Sequence, residues 1–301
     1  MDIIWIIKRC SLPVAGIVAL LFCLAMPGQI RAADAPSPWK LVFTLSDKSL
    51  NDALPTALYV DGDKKRYYMV DSAGGRLASF DDQGAFQKTF SPEDGLLKPF
   101  DMVRLDESVL VVVEKGKNSL TRIDFASKET TRVVVKDQGR QLMVDRLESS
   151  AGILYVLDRA TGQIYRLSDS FKIEQRFPLP ENSGGIVDFK IVDKQIWAVG
   201  QQEKTLYVYS DNGLITKRID ISDLVKFPVS LALDSGGLVY ILDRHQGEVV
   251  VLDRKAKLKY RFLDKGHGPQ SLYYPMEILF DPWGRLCVVD EGNNRVQVFG
   301  R

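Results

Sequence analysis

The chain has 301 residues, 45% of them apolar and 26% charged, which suits a folded globular protein and excludes a disordered bulk. Its 40 basic and 39 acidic side chains nearly cancel. No basic excess exists to release counterions from a phosphate backbone, so nucleic acid is excluded as a partner.

The first segment stands apart from the rest. In MDIIWIIKRC, Lys8 and Arg9 precede an apolar run from Val14 to Met26, and the small residues of IRAADA follow. A basic flank, a short greasy stretch and an Ala-rich end are the parts of a secretory signal peptide over residues 1–33. The run is thirteen residues long, against roughly twenty for a membrane-spanning helix. Cleavage is expected after Ala32 or Ala33. The extra apolar patch Ile3–Ile7 keeps a second reading open, an uncleaved anchor through residues 3–26. Arg9 and Phe22 are too bulky to precede lipid-bearing cysteines, so neither Cys10 nor Cys23 reads as a lipid-attachment site. Removing residues 1–33 takes away Lys8, Arg9, Arg31 and Asp2, leaving 37 basic and 38 acidic side chains. Only Cys287 then remains, so no internal disulfide forms. Either way the chain is expected to act outside the cytoplasm, in the periplasm or beyond the cell.

After a short linker at 34–38 comes WKLVFTLS, residues 39–46, a strand with no partner nearby. A twelve-residue phrase then recurs without a gap: VDSAGGRLASFD, VEKGKNSLTRID, LDRATGQIYRLS, VGQQEKTLYVYS, LDRHQGEVVVLD and VDEGNNRVQVFG. Its second residue is Asp71, Glu114, Asp158, Gly200, Asp243 and Asp290, at intervals of 43, 44, 42, 43 and 47. A period in the forties fits a four-stranded propeller blade. Runs rich in β-branched and aromatic residues precede each phrase (RYYMV, VLVVV, ILYVL, QIWAV, LVYIL, RLCVV), and Leu77, Leu120, Ile164, Leu206, Val249 and Val296 restart a strand inside it. A third type follows (AFQKTF, ETTRVVV, KIEQRF, LITKRI, KLKYRF), and a fourth opens the next period (PTALYVD, PFDMVRLD, PVSLALD, PMEILFD). The sixth period lacks the third type, which WKLVFTLS supplies. The pattern thus predicts an all-β, six-bladed β-propeller of four-stranded antiparallel blades over residues 39–301, its ring closed by the N-terminal strand. The phrase itself becomes the hairpin between the second and third strands. Its acids Asp71, Glu114, Asp158, Asp243 and Asp290 are expected to accept backbone N–H bonds across the turn. Arg76 and Arg295 stand five residues after Asp71 and Asp290, placed to pair with them.

The last period, PMEILFDPWGRLCVVDEGNNRVQVFG, closely resembles the NHL repeat, and PTALYVDGDKKRYYMVDSAGGRLASF is a looser copy. The loop GHGPQSLYYP at 266–275 resembles the glycine-rich lead-in of such repeats. The resemblance extends over residues 39–301 and is weakest in the third and fourth periods. It implies a six-bladed propeller but no single function, because such propellers serve as protein-binding, RNA-binding, sensor and scaffold domains, and related rings are lactonases and lyases.

Candidate site residues gather where the inner strands begin. Ala57, Asp101, Asp145, Asp188, Ser230 and Glu277 are expected around the channel mouth, Asp145 by a one-residue shift of the alignment. Converging carboxylates suit a hard cation such as Ca²⁺ or a cationic ligand; set against this, each acid can serve only to cap a strand or face channel water. Gluconolactonase-like propellers hold a divalent ion with a Glu, an Asn and an Asp, and no Asn stands at these positions. Amidating-lyase propellers use three histidines for zinc, whereas this chain has two, His245 and His267. With Arg244, these read as exposed loop residues of the hairpin face. No G-x-S-x-G, P-loop or metal-spaced histidine pair occurs, and Cys287 reads as a core thiol. The sequence therefore favours a monomeric, non-catalytic binding or scaffold propeller that recognises a protein or extracytoplasmic ligand through its hairpin face. No cofactor is expected beyond Ca²⁺ at the channel mouth. The alternative is a divalent-metal-dependent hydrolase or lactonase with its site at those acids.

Overall fold

The computed structural model describes residues 37–50 and 52–301; the expected signal segment lies outside the described residues. Six four-stranded antiparallel sheets follow one another along the chain. Blade 1 runs Pro55–Asp61, Arg66–Asp71, Arg76–Asp81, Phe86–Phe90, and blade 2 Pro99–Arg104, Val109–Glu114, Ser119–Asp124, Glu129–Val133. Blade 3 is Val144–Ser150, Ile153–Asp158, Gln163–Leu167, Ile173–Arg176, and blade 4 Ile186–Val192, Gln195–Gly200, Thr205–Tyr209, Ile215–Asp220. Blade 5 is Pro228–Leu233, Val239–Asp243, Glu248–Leu252, Leu258–Phe262. Blade 6 takes Glu277–Phe280, Leu286–Asp290 and Arg295–Gly300 from the end of the chain and its outer strand, Lys40–Leu45, from the beginning.

That closing strand is antiparallel to Arg295–Gly300, with Lys40 opposite Gly300 and Leu45 opposite Val296. Trp39 anchors its start. The buried indole packs against Tyr240 and Phe280 at centroid distances of 6.1 and 5.9 Å, and its Nε1–H donates to Tyr260 Oη at 3.2 Å. The expected ring closure is thus an apolar latch as well as a strand pairing.

The core is six separate seams, one between each pair of neighbouring blades. Alternation along each strand sends successive side chains to opposite seams. Cys287 occupies the same column as Tyr68, Val111, Tyr155, Trp197 and Tyr240 and is buried in the seam between blades 6 and 1. Burial raises its thiol well above the ordinary range, as a packed core thiol requires. The seam between blades 1 and 2 is the most thinly filled.

Two features were not expected from the sequence. Short ribbons pair Lys136–Asp137 with Arg140–Gln141 and, in parallel, Asp264–Lys265 with Ser271–Leu272. Each of blades 1 to 5 also has a register shift just inside its inner strand, as between Pro55 and Ala57 or Val144 and Arg146. A bulge there re-aims the side chain that follows it.

Candidate functional site

Each of the five bulges sets one side chain towards the channel, and with Glu277 of blade 6 they form a belt: Ala57, Asp101, Arg146, Asp188, Ser230 and Glu277. Five of the six are those expected. In blade 3 the shift sets Arg146 opposite Leu157, in the slot that Asp188 takes opposite Val199 and Ser230 opposite Leu242. Asp145 is therefore displaced from the belt. It pairs with the Lys115 ammonium and lies 3.9 Å from Arg159, on the hairpin side. The expectation failed at its one-residue shift: the inner strand of blade 3 takes the same register step as those of blades 1, 4 and 5, which puts Arg146 in the slot.

The belt's polar groups link blade to blade. Leu58 N–H of blade 1 donates to Glu277 Oε2 of blade 6 at 2.9 Å. Leu147 N–H of blade 3 donates to Asp101 Oδ2 of blade 2 at 2.8 Å, and Leu231 N–H of blade 5 to Asp188 Oδ2 of blade 4 at 3.0 Å. Ile278 N–H of blade 6 donates to Ser230 Oγ of blade 5 at 3.1 Å. An inner strand is a sheet edge whose N–H groups would otherwise go unpaired in a buried channel, and the belt satisfies them from the neighbouring blade. Ala57 offers no acceptor to blade 2, where Met102 N–H instead takes Asp101 Oδ1 at 2.7 Å.

Arg146, only 4% exposed, crosses the channel from blade 3. Its Nη2 donates to Met276 O at 2.9 Å and its Nη1 to Thr56 O at 3.4 Å, on the far side of the ring. Burial opposes its charge, but Asp101, Glu277 and Asp188 more than compensate, and it stays protonated. Asp101 carries the opposite strain: burial and the nearby Glu277 push its carboxyl up to about 8, against the pull of Arg146. One layer further along the inner strands, Lys190 Nζ lies 2.6 Å from Glu148 Oε1 and 3.4 Å from Glu277 Oε1. Tyr59, Val103, Ala232 and Leu279 complete that layer, which borders a cavity of about 300 Å³.

A divalent ion of the kind held by lactonase-like propellers does not fit these residues. Asp101, Asp188 and Glu277 each give an oxygen to a backbone N–H, and Arg146 supplies the countercharge a metal would bring. Among the described residues no three His, Cys, Asp or Glu side chains converge as a ligand set. His245 lies flat on Phe227, with centroids 4.0 Å apart, and His267 Nδ1 shares a hydrogen bond with Asn293 Oδ1 at 2.7 Å. Arg244 holds Glu291 at 2.6 Å and the Tyr274 and Pro275 carbonyls at 3.0 and 3.1 Å, fastening the fifth hairpin to the link into blade 6.

The hairpin acids do more than brace their turns. Asp71 accepts from Gly74 N–H at 2.9 Å and Arg76 Nε at 2.8 Å, and also from Leu54 N–H at 3.0 Å, on the link entering blade 1. Glu114, Asp158, Asp243 and Asp290 hold Leu97, Met143, Lys226 and Tyr273 in the same way. Arg295 pairs with Asp290 at 2.9 Å, as expected. Blade 4 has Gly200 at this position. There Glu203, from the hairpin itself, sends Oε2 to Gly184 N–H at 3.2 Å and Oε1 to Tyr207 Oη at 2.9 Å. A Cβ on Gly200 would come 2.0 Å from Glu203 Oε1, so the glycine leaves room for the substitute.

The clamped link residues mark out a surface. Leu54, Leu97 and Met143, at one structural position in three adjacent blades, are 36, 48 and 41% exposed. Exposed Lys98 follows Leu97 in the chain, and exposed Arg159 donates its backbone N–H to Met143 O at 2.9 Å. This apolar arc was missed from the sequence because the residues follow turn-rich links and break no pattern.

With the ring, the belt and the hairpin clamps in view, the class is plain: a six-bladed β-propeller. No family model matches the chain. NHL repeat-containing protein 3 of mouse is 34% identical over 80 residues, which are 25% of this chain and 22% of the mouse protein. The chain therefore matches about a fifth of that relative's length. Among solved structures, a streptogramin B lyase superposes with a TM-score of 0.64 at 13% identity, over 87% of this chain and 97% of its own. An auxiliary nutrient binding protein from Bacteroides thetaiotaomicron gives 0.61 at 13%, over 82% and 68%. At such identity the likeness is one of fold.

Proposed function

We propose that the protein is an exported, non-catalytic scaffold that binds a protein partner on its hairpin face, over blades 1 to 3. The observation carrying this reading is the arc of Leu54, Leu97 and Met143, three apolar side chains held outward at equivalent positions by the hairpin acids. Rigidly held apolar groups with a cationic border suit a partner segment that alternates apolar and acidic residues. The channel supports the same reading from the other side. Asp101, Asp188 and Glu277 each give one oxygen to a backbone N–H of the neighbouring blade, and Arg146 crosses the channel beside them. Among the described residues no helix is long and apolar enough to cross a membrane; export rests on the N-terminal segment.

Two measurements test this. A photo-crosslinking residue at Met143, used in intact cells, is expected to give one discrete adduct. The adduct should be absent from the same residue at Ile153 and abolished by Leu54→Ser with Leu97→Ser. Equal yields at both positions would refute the surface. Millimolar Ca²⁺ is expected to leave the melting temperature unchanged; a rise that Glu277→Gln removes would favour the metal-dependent hydrolase instead.

A further inference from the structure

One third-strand slot facing the seams varies around the ring: it holds Arg122 and Arg166 in blades 2 and 3, valine in blades 4 to 6, and the smallest side chain in blade 1. In the third strand, Val208, Val251 and Val298 fill their seams opposite Trp197, Tyr240 and Cys287. In blade 1 the same slot, opposite Tyr68, holds Ser79, whose hydroxyl turns to Lys88 O at 3.1 Å. The missing methyl groups open a cleft of about 190 Å³. Tyr59, Tyr68, Phe90 and Phe125 wall it, and Met102 and Leu110 floor it. The rings pair with one another, Tyr59 with Tyr68 at 6.2 Å and Phe90 with Phe125 at 5.7 Å, leaving faces and edges to the cleft. Phe125 is half exposed, an unusual place for a phenyl ring in a chain with so complete a core elsewhere.

The mouth is cationic. Lys88 has no acidic partner among the described residues, and Lys64 lies only loosely against Asp61, at 3.9 Å. Arg104 also borders the cleft but is bound to Asp61 and to Asp106 O. Asp61 is thereby already neutralised, while Asp63 and Glu107 belong to the adjoining hollow rather than to the cleft. An aromatic slot with two available ammonium groups at its rim complements a flat apolar body carrying one negative charge. For scale, an apolar cavity of about 150 Å³ admits benzene, so one or two rings fit here. We propose that this cleft is a binding site for a small aromatic carboxylate, held edge-to-face by the four rings and at its anionic end by Lys88 and Lys64.

The probe is 2-naphthoate, titrated calorimetrically into the full chain. Saturable binding is expected, weakened about tenfold by Lys88→Glu through loss of the charge-assisted contact. Ser79→Val, which restores the residue found in three other blades, should abolish binding without lowering the melting temperature. Lys88 is exposed, so its variant reads the site even if the seam will not accept valine. Absence of binding at 5 mM (a ceiling of about −3 kcal/mol), or equal affinity in the parent and both variants, would overturn the proposal.

Discussion

Gly200 and Glu203 illustrate how one hydrogen-bonding task can move between residues. Five hairpins meet it with an acid at the second position of the phrase; the fourth meets it from three residues further on, through a glycine that yields space. Gly200→Asp should therefore destabilise the protein by about 1 kcal/mol, because two carboxylates would compete for Gly184 N–H. Gly200→Asp combined with Glu203→Ala should recover most of the loss. A double-mutant cycle in urea settles it, and additive losses would mean the two residues do not share the role. Asp101 gives a second expectation at this scale. Its folded-state pKa is raised from 3.8 to about 8 by burial and Glu277, so the native protein holds a proton that the unfolded chain releases. That contribution is complete below about pH 4 and declines as pH rises towards 8. Asp101→Asn should flatten the melting-temperature profile across this window; an unchanged slope would place the titration elsewhere.

At the scale of strands, the closing segment Lys40–Leu45 and its anchor Trp39 decide whether blade 6 has an outer edge. Trp39→Ala removes a buried indole that touches Tyr240, Phe280 and Tyr260, and should cost about 3–5 kcal/mol. Limited proteolysis should then cut between residues 37 and 50 before any other site, and a first cut elsewhere would deny the latch its role. The same strands explain what could be read from the sequence. The hairpins, the strand order and the closure follow from a period near 43 and from period-2 alternation, both of which survive in the amino-acid string. The inner-strand bulges do not, since an inserted residue leaves Val144 and Leu147 apolar whichever neighbour faces the channel. With nothing in the pattern to fix which neighbour faces inward, a one-residue shift put Asp145 where Arg146 stands. That one exchange turns a ring of acids open to a cation into a crosslinked plug. Contributions from backbone N–H groups are equally silent in sequence, which is why the belt's bonding and the second duty of the hairpin acids emerged only in three dimensions.

For the molecule as a whole, six seams of similar design are not equally filled, and its surfaces differ accordingly. Apolar side chains stand outward on the hairpin face over blades 1 to 3, and an aromatic cleft opens between blades 1 and 2. Both features sit in the first half of the ring, whereas the later blades close their seams with valine and bury their rings more fully. The joining of residues 40–45 to residues 295–300 has a temporal meaning too. A sheet whose members are separated by some 250 positions cannot assemble until its last member has been synthesised, and such distant pairing is slow once it begins. Blades 1 to 5 are each continuous in the chain, so closure of the sixth is the late event in folding and the step at which the ring becomes rigid.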